Sequence, residues 1–312
     1  MNAALLLDAG LCLLILTAAV LAMTGRDLFG AIAFFIVYGI LIALAWVRLE
    51  AVDVALAEAA IGAGLTGVLL IGAWSLLRRA GVSEAHELSH WGLRLVAGLA
   101  SAATTVVLAA AVLALPPGRE GLAPLVTERL ADHGVSNPVT GVLLDFRAYD
   151  TLMESIVLLV ALVAVWALTP ASAWGGVPGM RQHARPDGVL AMFGRLLPPI
   201  GLVMAVYLVW AGSSQPGGAF QAGTVLAAVW LLVVMAGIYD EPPISSGLLR
   251  TALVAGPAVF LAIGIAGLGA GALLAYPDEY AYGLILLIEF TLTFSIGATL
   301  ALLVAGRARR AA

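Results

Sequence analysis

Residues 48–65 read Arg48-Leu-Glu-Ala-Val-Asp-Val-Ala-Leu-Ala-Glu-Ala-Ala-Ile-Gly-Ala-Gly-Leu65, and the apolar run that opens at 52 continues to 76. A run of that length crosses a bilayer as a helix, because ~20 residues rising 1.5 Å each span the ~30 Å hydrocarbon core. Yet this run carries Asp53 and Glu58. A carboxylate inside hydrocarbon costs on the order of 2.5–3.5 kcal/mol to insert and rarely persists without an ion, a proton path or a partner. Two further polar islands stand in otherwise apolar sequence, Asp145–Glu154 and Pro216–Gly223.

The rest of the chain fits the same reading. Of 312 residues, 62% are hydrophobic and 11% charged, which defines an all-α polytopic membrane protein. Apolar runs of spanning length lie at 4–23, 28–47, 52–76, 92–115, 150–168, 192–211, 219–238, 250–274 and 281–304, predicting about nine transmembrane helices. The first run has no basic flank and no small-residue cleavage site, so it reads as a retained helix. The single cysteine, Cys12, lies within it, and neither a disulfide framework nor a cysteine metal site is expected.

The fifteen basic residues are all arginine. Eleven fall in odd-numbered loops or after the last span; only Arg48, Arg119, Arg129 and Arg147 fall in even-numbered loops. The positive-inside rule then places the N-terminus outside and the C-terminus in the cytoplasm. Without lysine the chain has no buried amine to switch its charge opposite a glutamate, and no P-loop lysine for ATP. The energy source for transport is therefore expected in another subunit. No cofactor is expected, no basic stripe suggests nucleic acid, and the chain reads not as an enzyme but as part of a transporter.

Composition divides the chain into blocks of three, two and four helices at 1–80, 90–168 and 190–306. A cytoplasmic linker rich in Pro, Gly, Ser and Ala is expected at 169–189. No fixed-period or inverted repeat is visible.

The islands carry a family resemblance. The stretch from Arg48 quoted above resembles the three-helix D-type component of membrane-bound hydrogenases, which also appears in the C-terminal part of the large A-type component of Mrp-type cation/proton antiporters. Residues 137–154, Asn137-Pro-Val-Thr-Gly-Val-Leu-Leu-Asp-Phe-Arg-Ala-Tyr-Asp-Thr-Leu-Met-Glu154, resemble the adjoining E-type hydrogenase component and the same antiporter tail. Residues 215–228, Gln215-Pro-Gly-Gly-Ala-Phe-Gln-Ala-Gly-Thr-Val-Leu-Ala-Ala228, are similar to the glycine-rich signature of the MnhB-like component of those antiporters. Ala219 and Ala222 stand where that signature has glycine, and Gly62 stands where the A-type tail tends to place an acid. The resemblance implies a hydrogenase D-like segment at 1–80, a hydrogenase E-like segment at 90–168 and an MnhB-like domain at 190–306. It implies an accessory member of a multisubunit antiporter in the cell (inner) membrane. Its partners would be small membrane subunits together with large ones carrying the lysine and glutamate machinery, exchanging Na⁺ or another monovalent cation for H⁺. A membrane component of a redox-driven complex such as a membrane-bound hydrogenase, or a structural spacer between pumping modules, are the alternatives.

Glu58, Glu154 and Glu289 lie too deep in their spans to be ordinary helix caps, and they form the expected ion path together with Asp53. Asp53 and Asp8 read equally as caps, since acids are favoured near helix starts. Asp145, Arg147, Asp150 and Thr151 are expected to shape the outer mouth or to fix its loop by ion pairing. Pro216, Gly217, Gly218, Gln221 and Gly223 read as a packing surface for a neighbouring subunit. His86 and His90, one turn apart, lack a third ligand, and with His133 and His183 they make no convincing metal site.

Overall fold

Each predicted apolar run is a helix. The structure, a computed structural model, describes residues 3–25, 27–81, 91–115, 121–130, 134–179, 185 and 187–309. In chain order the spans are α1 (Ala3–Thr24), α2 (Leu28–Arg48), α3 (Val52–Ala57) continuing into α4 (Thr66–Arg79), and α5 (Trp91–Leu113). The short α6 (Ala123–Leu130) and α7 (Pro138–Gly141) precede α8 (Ala148–Ala167), α9 (Val189–Gly212), α10 (Ala219–Met235), α11 (Gly247–Ala266) and α12 (Ala281–Ala305). Among the described residues eight helices have the length and composition to cross a membrane. The ninth expected span, α10, has 17 residues. Its shortness has a local cause at its C-terminal end: the apolar run at 219–238 outlasts the helix, because Gly237 turns the backbone with φ +68°.

α12 is the axis of the bundle. It is buried over most of its length, from Ala281 through Leu302, and it packs against α8, α9, α10 and α11. Ile285, Ile288, Leu292, Ile296 and Leu300 join Leu144, Leu152 and Phe260 in the main core. The polar residues of α12 do not break this core, because Thr293 and Thr299 donate to the carbonyls one turn back, at Glu289 (2.8 Å) and Ser295 (2.7 Å).

Small residues set how closely the helices approach. Gly223 of α10 lies against Ile296 and Gly297 of α12, so that a Cβ on Gly223 would fall 2.7 Å from the Ile296 side chain. Where α11 meets α12, Pro257 removes a backbone donor from α11. Beside it the Ser295 hydroxyl accepts from Gly256 N at 2.7 Å and donates to the Ala252 carbonyl at 2.8 Å. A side chain of one helix thus bridges the backbone pair that an undistorted neighbour would join directly, a repair that the dry interior of a membrane demands.

Between α3 and α4 the helix widens into π geometry over Glu58–Leu65, and Thr66 donates to the Ile61 carbonyl five residues back at 2.9 Å. The widened segment packs on α2 with Ala63 against Gly39, and the start of α4 follows it with Gly67 against Ile36. α5 has no buried residue, which leaves it along the margin of the bundle.

The described start of the expected linker, up to Gly179, is pinned. Val177–Pro178 pairs antiparallel with Ala308–Arg309, Ile244 N donates to the Gly176 carbonyl at 2.9 Å, and Ala308 N donates to the Thr169 hydroxyl at 3.3 Å. The carboxylate of Glu241 lies against Gly179 at this clasp. Half-burial pushes Glu241 up to about 7, against the opposing pull of Arg309.

Candidate functional site

At the opposite end of the bundle the first and third polar islands meet on one turn, together with the start of the second motif at residues 136–140. Gly212, at the end of α9, and Gly217–Gly218, before α10, press backbone on backbone: a Cβ on Gly212 would stand 2.8 Å from Gly218 N. Gly218 has φ +126° and ψ −179°, a region open essentially to glycine alone. Its N–H donates to the Leu208 carbonyl at 2.9 Å.

The start of the second motif holds this turn from one side. The Asn137 amide donates to the carbonyls of Gly212 (3.1 Å) and Gln215 (2.9 Å), while its oxygen accepts from Val139 N and caps α7. Thr140 donates to the Gly212 carbonyl, and the backbone amides of Ser136 and Asn137 both donate to the Ser213 carbonyl. The first island holds the other side. The Asp53 carboxylate accepts from Gly217 N at 3.0 Å, and Gln221 donates its amide to the Asp53 carbonyl at 3.4 Å. Asp53 therefore docks a loop and does not cap its own helix.

Beneath the turn lies Glu289, 5% exposed and about 12 Å along α12 from its start at 1.5 Å per residue. The backbone N–H of Ala219, first residue of α10, bonds to its carboxylate, and Asp53 faces it electrostatically. A helix beginning inside the membrane exposes N–H groups that need an acceptor, and its positive end favours an anion. Glu289 supplies both from a neighbouring helix. Its second oxygen, Oε2, is buried without a hydrogen-bond partner among the described residues.

The other predicted residues lie apart from this centre. Glu58 is half-buried, its carboxylate folded over Gly62, where any side chain would collide with it. An acid at 62 would meet that carboxylate directly, so the glycine and Glu58 belong together. Glu154 is exposed on α8, one turn beyond Asp150. Arg147 pairs with Asp150 at 2.5 Å, with 70% and 44% of the two side chains exposed, and Thr151 donates to the Leu143 carbonyl at 2.6 Å across the π segment Val142–Phe146. Burial raises the Tyr276 phenol above its ordinary range, and the nearby Asp145 charge adds to this. Asp8 is neither a cap nor free: Arg48 grips both its oxygens, at 2.8 and 3.3 Å.

The role expected for the third island needs correction. Of the residues assigned to packing against a neighbouring subunit, Gly217, Gly218 and Gly223 are buried and Gln221 half-buried inside this chain, against α9, α12 and Asp53. Pro216 alone of the set is exposed. Asn137 and Thr140 were missed as functional residues, although both stand in the second motif. His86, His90, His133 and His183 lie outside the described residues. Beside the turn a surface cavity of about 550 Å³ is lined by Ser136, Ser213, Ser214, Trp210 and Tyr282, among others.

Two family models match parts of this chain. Residues 189–307 match the family described as a domain related to the MnhB subunit of Na⁺/H⁺ antiporter, and residues 13–79 match MbhD, the D component of MBH. An uncharacterised protein of Methanocaldococcus jannaschii is 29% identical over 166 residues, which cover 48% of this chain and 63% of that protein, leaving more than a third of the relative unmatched. A chain in the structure of the Mrp complex from Dietzia sp. DQ12-45-1b matches 96% of this one with a TM-score of 0.72 at 23% identity, the match spanning 35% of that chain. A chain of the membrane-bound sulfane sulfur reductase, an archaeal respiratory membrane complex, matches over 67% of this chain and 94% of its own, with a TM-score of 0.57 at 24% identity. The fold is that of a multi-pass helical membrane protein, shared with chains of two large membrane complexes. Within that class residues 189–307 are similar to an MnhB-related domain and residues 13–79 to an MbhD segment.

Proposed function

We propose that this chain is an accessory membrane subunit of a multisubunit Mrp-type antiporter exchanging Na⁺ or another monovalent cation for protons. One observation carries the reading: Asp53 of the MbhD-like segment and Glu289 of the MnhB-like domain meet at the buried start of α10. If Glu289 served only to cap α10, one oxygen would suffice, yet the other is buried and unpartnered among the described residues. Asp53, Glu58, Glu154 and Glu289 form the acidic path. The exposed face of α8 with Asp150 and Glu154 is the side open to a neighbouring protein of the complex, and Asp145, Arg147 and Thr151 shape the mouth. The large antiporter-like subunits supply the lysines this chain lacks, residues 90–168 are the hydrogenase E-like segment, and the N-terminus lies outside, following the arginine distribution.

The test is Na⁺-dependent dissipation of a ΔpH in inverted vesicles carrying the whole complex. Glu289→Gln and Glu154→Gln should each abolish exchange while the complex still assembles; full exchange in an assembled Glu289→Gln complex would remove that residue from the path. A second reading is favoured by the 94% coverage of the sulfane sulfur reductase chain: the same membrane module would then serve a redox-driven complex. Exchange indifferent to Na⁺, with iron-sulfur subunits encoded alongside, would decide for it.

A further inference from the structure

Gln221 sits in the first turn of α10 with the nitrogen end of its amide committed. Its Nε2 donates to the Asp53 carbonyl at 3.4 Å, which turns Oε1 toward the space above Gly218. Glu289 presents an oxygen to that same space. A Cβ on Gly218 would stand 3.2 Å from Glu289 Oε1 and 3.4 Å from Gln221 Oε1. Two acceptors therefore converge on a small volume that only the missing side chain of glycine leaves open. Oxygen lone pairs facing each other in a dry interior repel unless a positive species lies between them.

The donor set decides which species. A hard cation takes about six oxygen ligands, and this pocket offers one carboxylate oxygen of Glu289 and Oε1 of Gln221. The backbone group turned toward Glu289 is the N–H donor of Ala219, Gly217 N being taken by Asp53, and the positive end of a helix repels a metal cation. A proton asks for one donor oxygen and one acceptor. Asp53, the charged group that faces Glu289, is already spoken for by Gly217 N.

We infer that Glu289 and Gln221 share a single proton above Gly218, with Glu289 as its carrier and Gln221 as the positioning residue that accepts the hydrogen bond of the protonated acid. The inference rests on the reading of Glu289 as an ion-path residue and narrows it: this station loads H⁺, and the metal cation travels elsewhere. Loading forms an O–H bond on Glu289 and unloading breaks it. The proton comes from water and returns to water, and no electron moves.

Infrared difference spectroscopy of the purified full chain tests this without any transport assay. A protonated-carboxyl band should be present in the wild type and absent from Glu289→Gln. In Gln221→Leu, which keeps the acid and removes its acceptor, the band should persist but move to higher frequency. Na⁺ added at constant pH to the wild-type chain should leave the band unchanged. A band that Na⁺ bleaches would make the pocket a cation site, and a band insensitive to Gln221→Leu would dissolve the pair; either result overturns the inference. The Na⁺ titration needs no variant, so it stands even if a substitution prevents folding. Vesicle exchange that ignores this chain while the band behaves as described would sink the antiporter reading alone, whereas exchange that needs the chain with no such band would sink the proton site alone.

Discussion

The carboxylate of Asp53 and the backbone N–H of Gly217 are joined by a hydrogen bond of 3.0 Å across 164 positions of the chain. This contact ties the MbhD-like segment to the turn that opens α10. A charged acceptor on a backbone donor is worth about 1.5–3 kcal/mol, and Asp53→Ala should lower stability by about that amount. Asp53→Asn keeps an acceptor oxygen and should lose about 1 kcal/mol. Denaturation of the detergent-solubilised chain distinguishes the two; equal losses would show that the charge adds nothing.

Gly218→Ala combines two penalties. The backbone lies where non-glycine residues are strained by about 1–3 kcal/mol, and the new methyl would enter the space between Glu289 and Gln221. Exchange in vesicles should fall at least tenfold. Gly247→Ala, at a position with open space around it, serves as the control and should leave exchange unchanged.

Glu241 gives the clasp a pH dependence. With its acid at about 7 instead of the ordinary 4.5, the folded chain binds this proton more tightly than the unfolded one. The contribution to stability is therefore complete below about 4.5, declines as pH rises through about 7, and is level above that. Glu241→Gln should flatten this slope. Melting curves of both proteins across the interval, subtracted, should show wild type losing stability relative to the variant as pH rises.

Ser295→Ala removes the hydroxyl that bridges Gly256 N and the Ala252 carbonyl. Unsatisfied buried backbone groups cost about 1–3 kcal/mol each, so the variant should unfold measurably earlier than Thr293→Ala. The Thr293 hydroxyl only bonds back to its own helix, and equal losses in the two variants would mean that α11 closes its own gap.

The spans were legible because hydrophobic length alone decides them, and the predicted runs fall within a few residues of the helices. The shortness of α10 was not, since the run at 219–238 is apolar past the point where Gly237 turns the backbone with φ +68°. That polar islands mark special places was also readable. That the first and third meet on one turn with Asn137 was not, because Asp53, Asn137 and Gly217 carry no local signal of one another. Asn137 before Pro138 reads as a cap, and it is one, but its amide nitrogen does its tertiary work 75 and 78 residues away. Ser295 left a readable clue: a proline inside an apolar run requires help from a neighbour, and a lone hydroxyl in the next span is a natural source. Asp8 misled because its partner, Arg48, lies at the far end of the following helix, a pairing that only the antiparallel return of α2 creates.

The halves of the acid centre are made far apart in time as well as in sequence. Asp53 enters the membrane with the third span, while Glu289 arrives only with α12. Until then the start of α10 lacks its carboxylate and the space above Gly218 lacks one of its walls. A chain caught midway through synthesis thus lacks the acceptor that the start of α10 finds on Glu289, and the pocket that the proposed proton site needs.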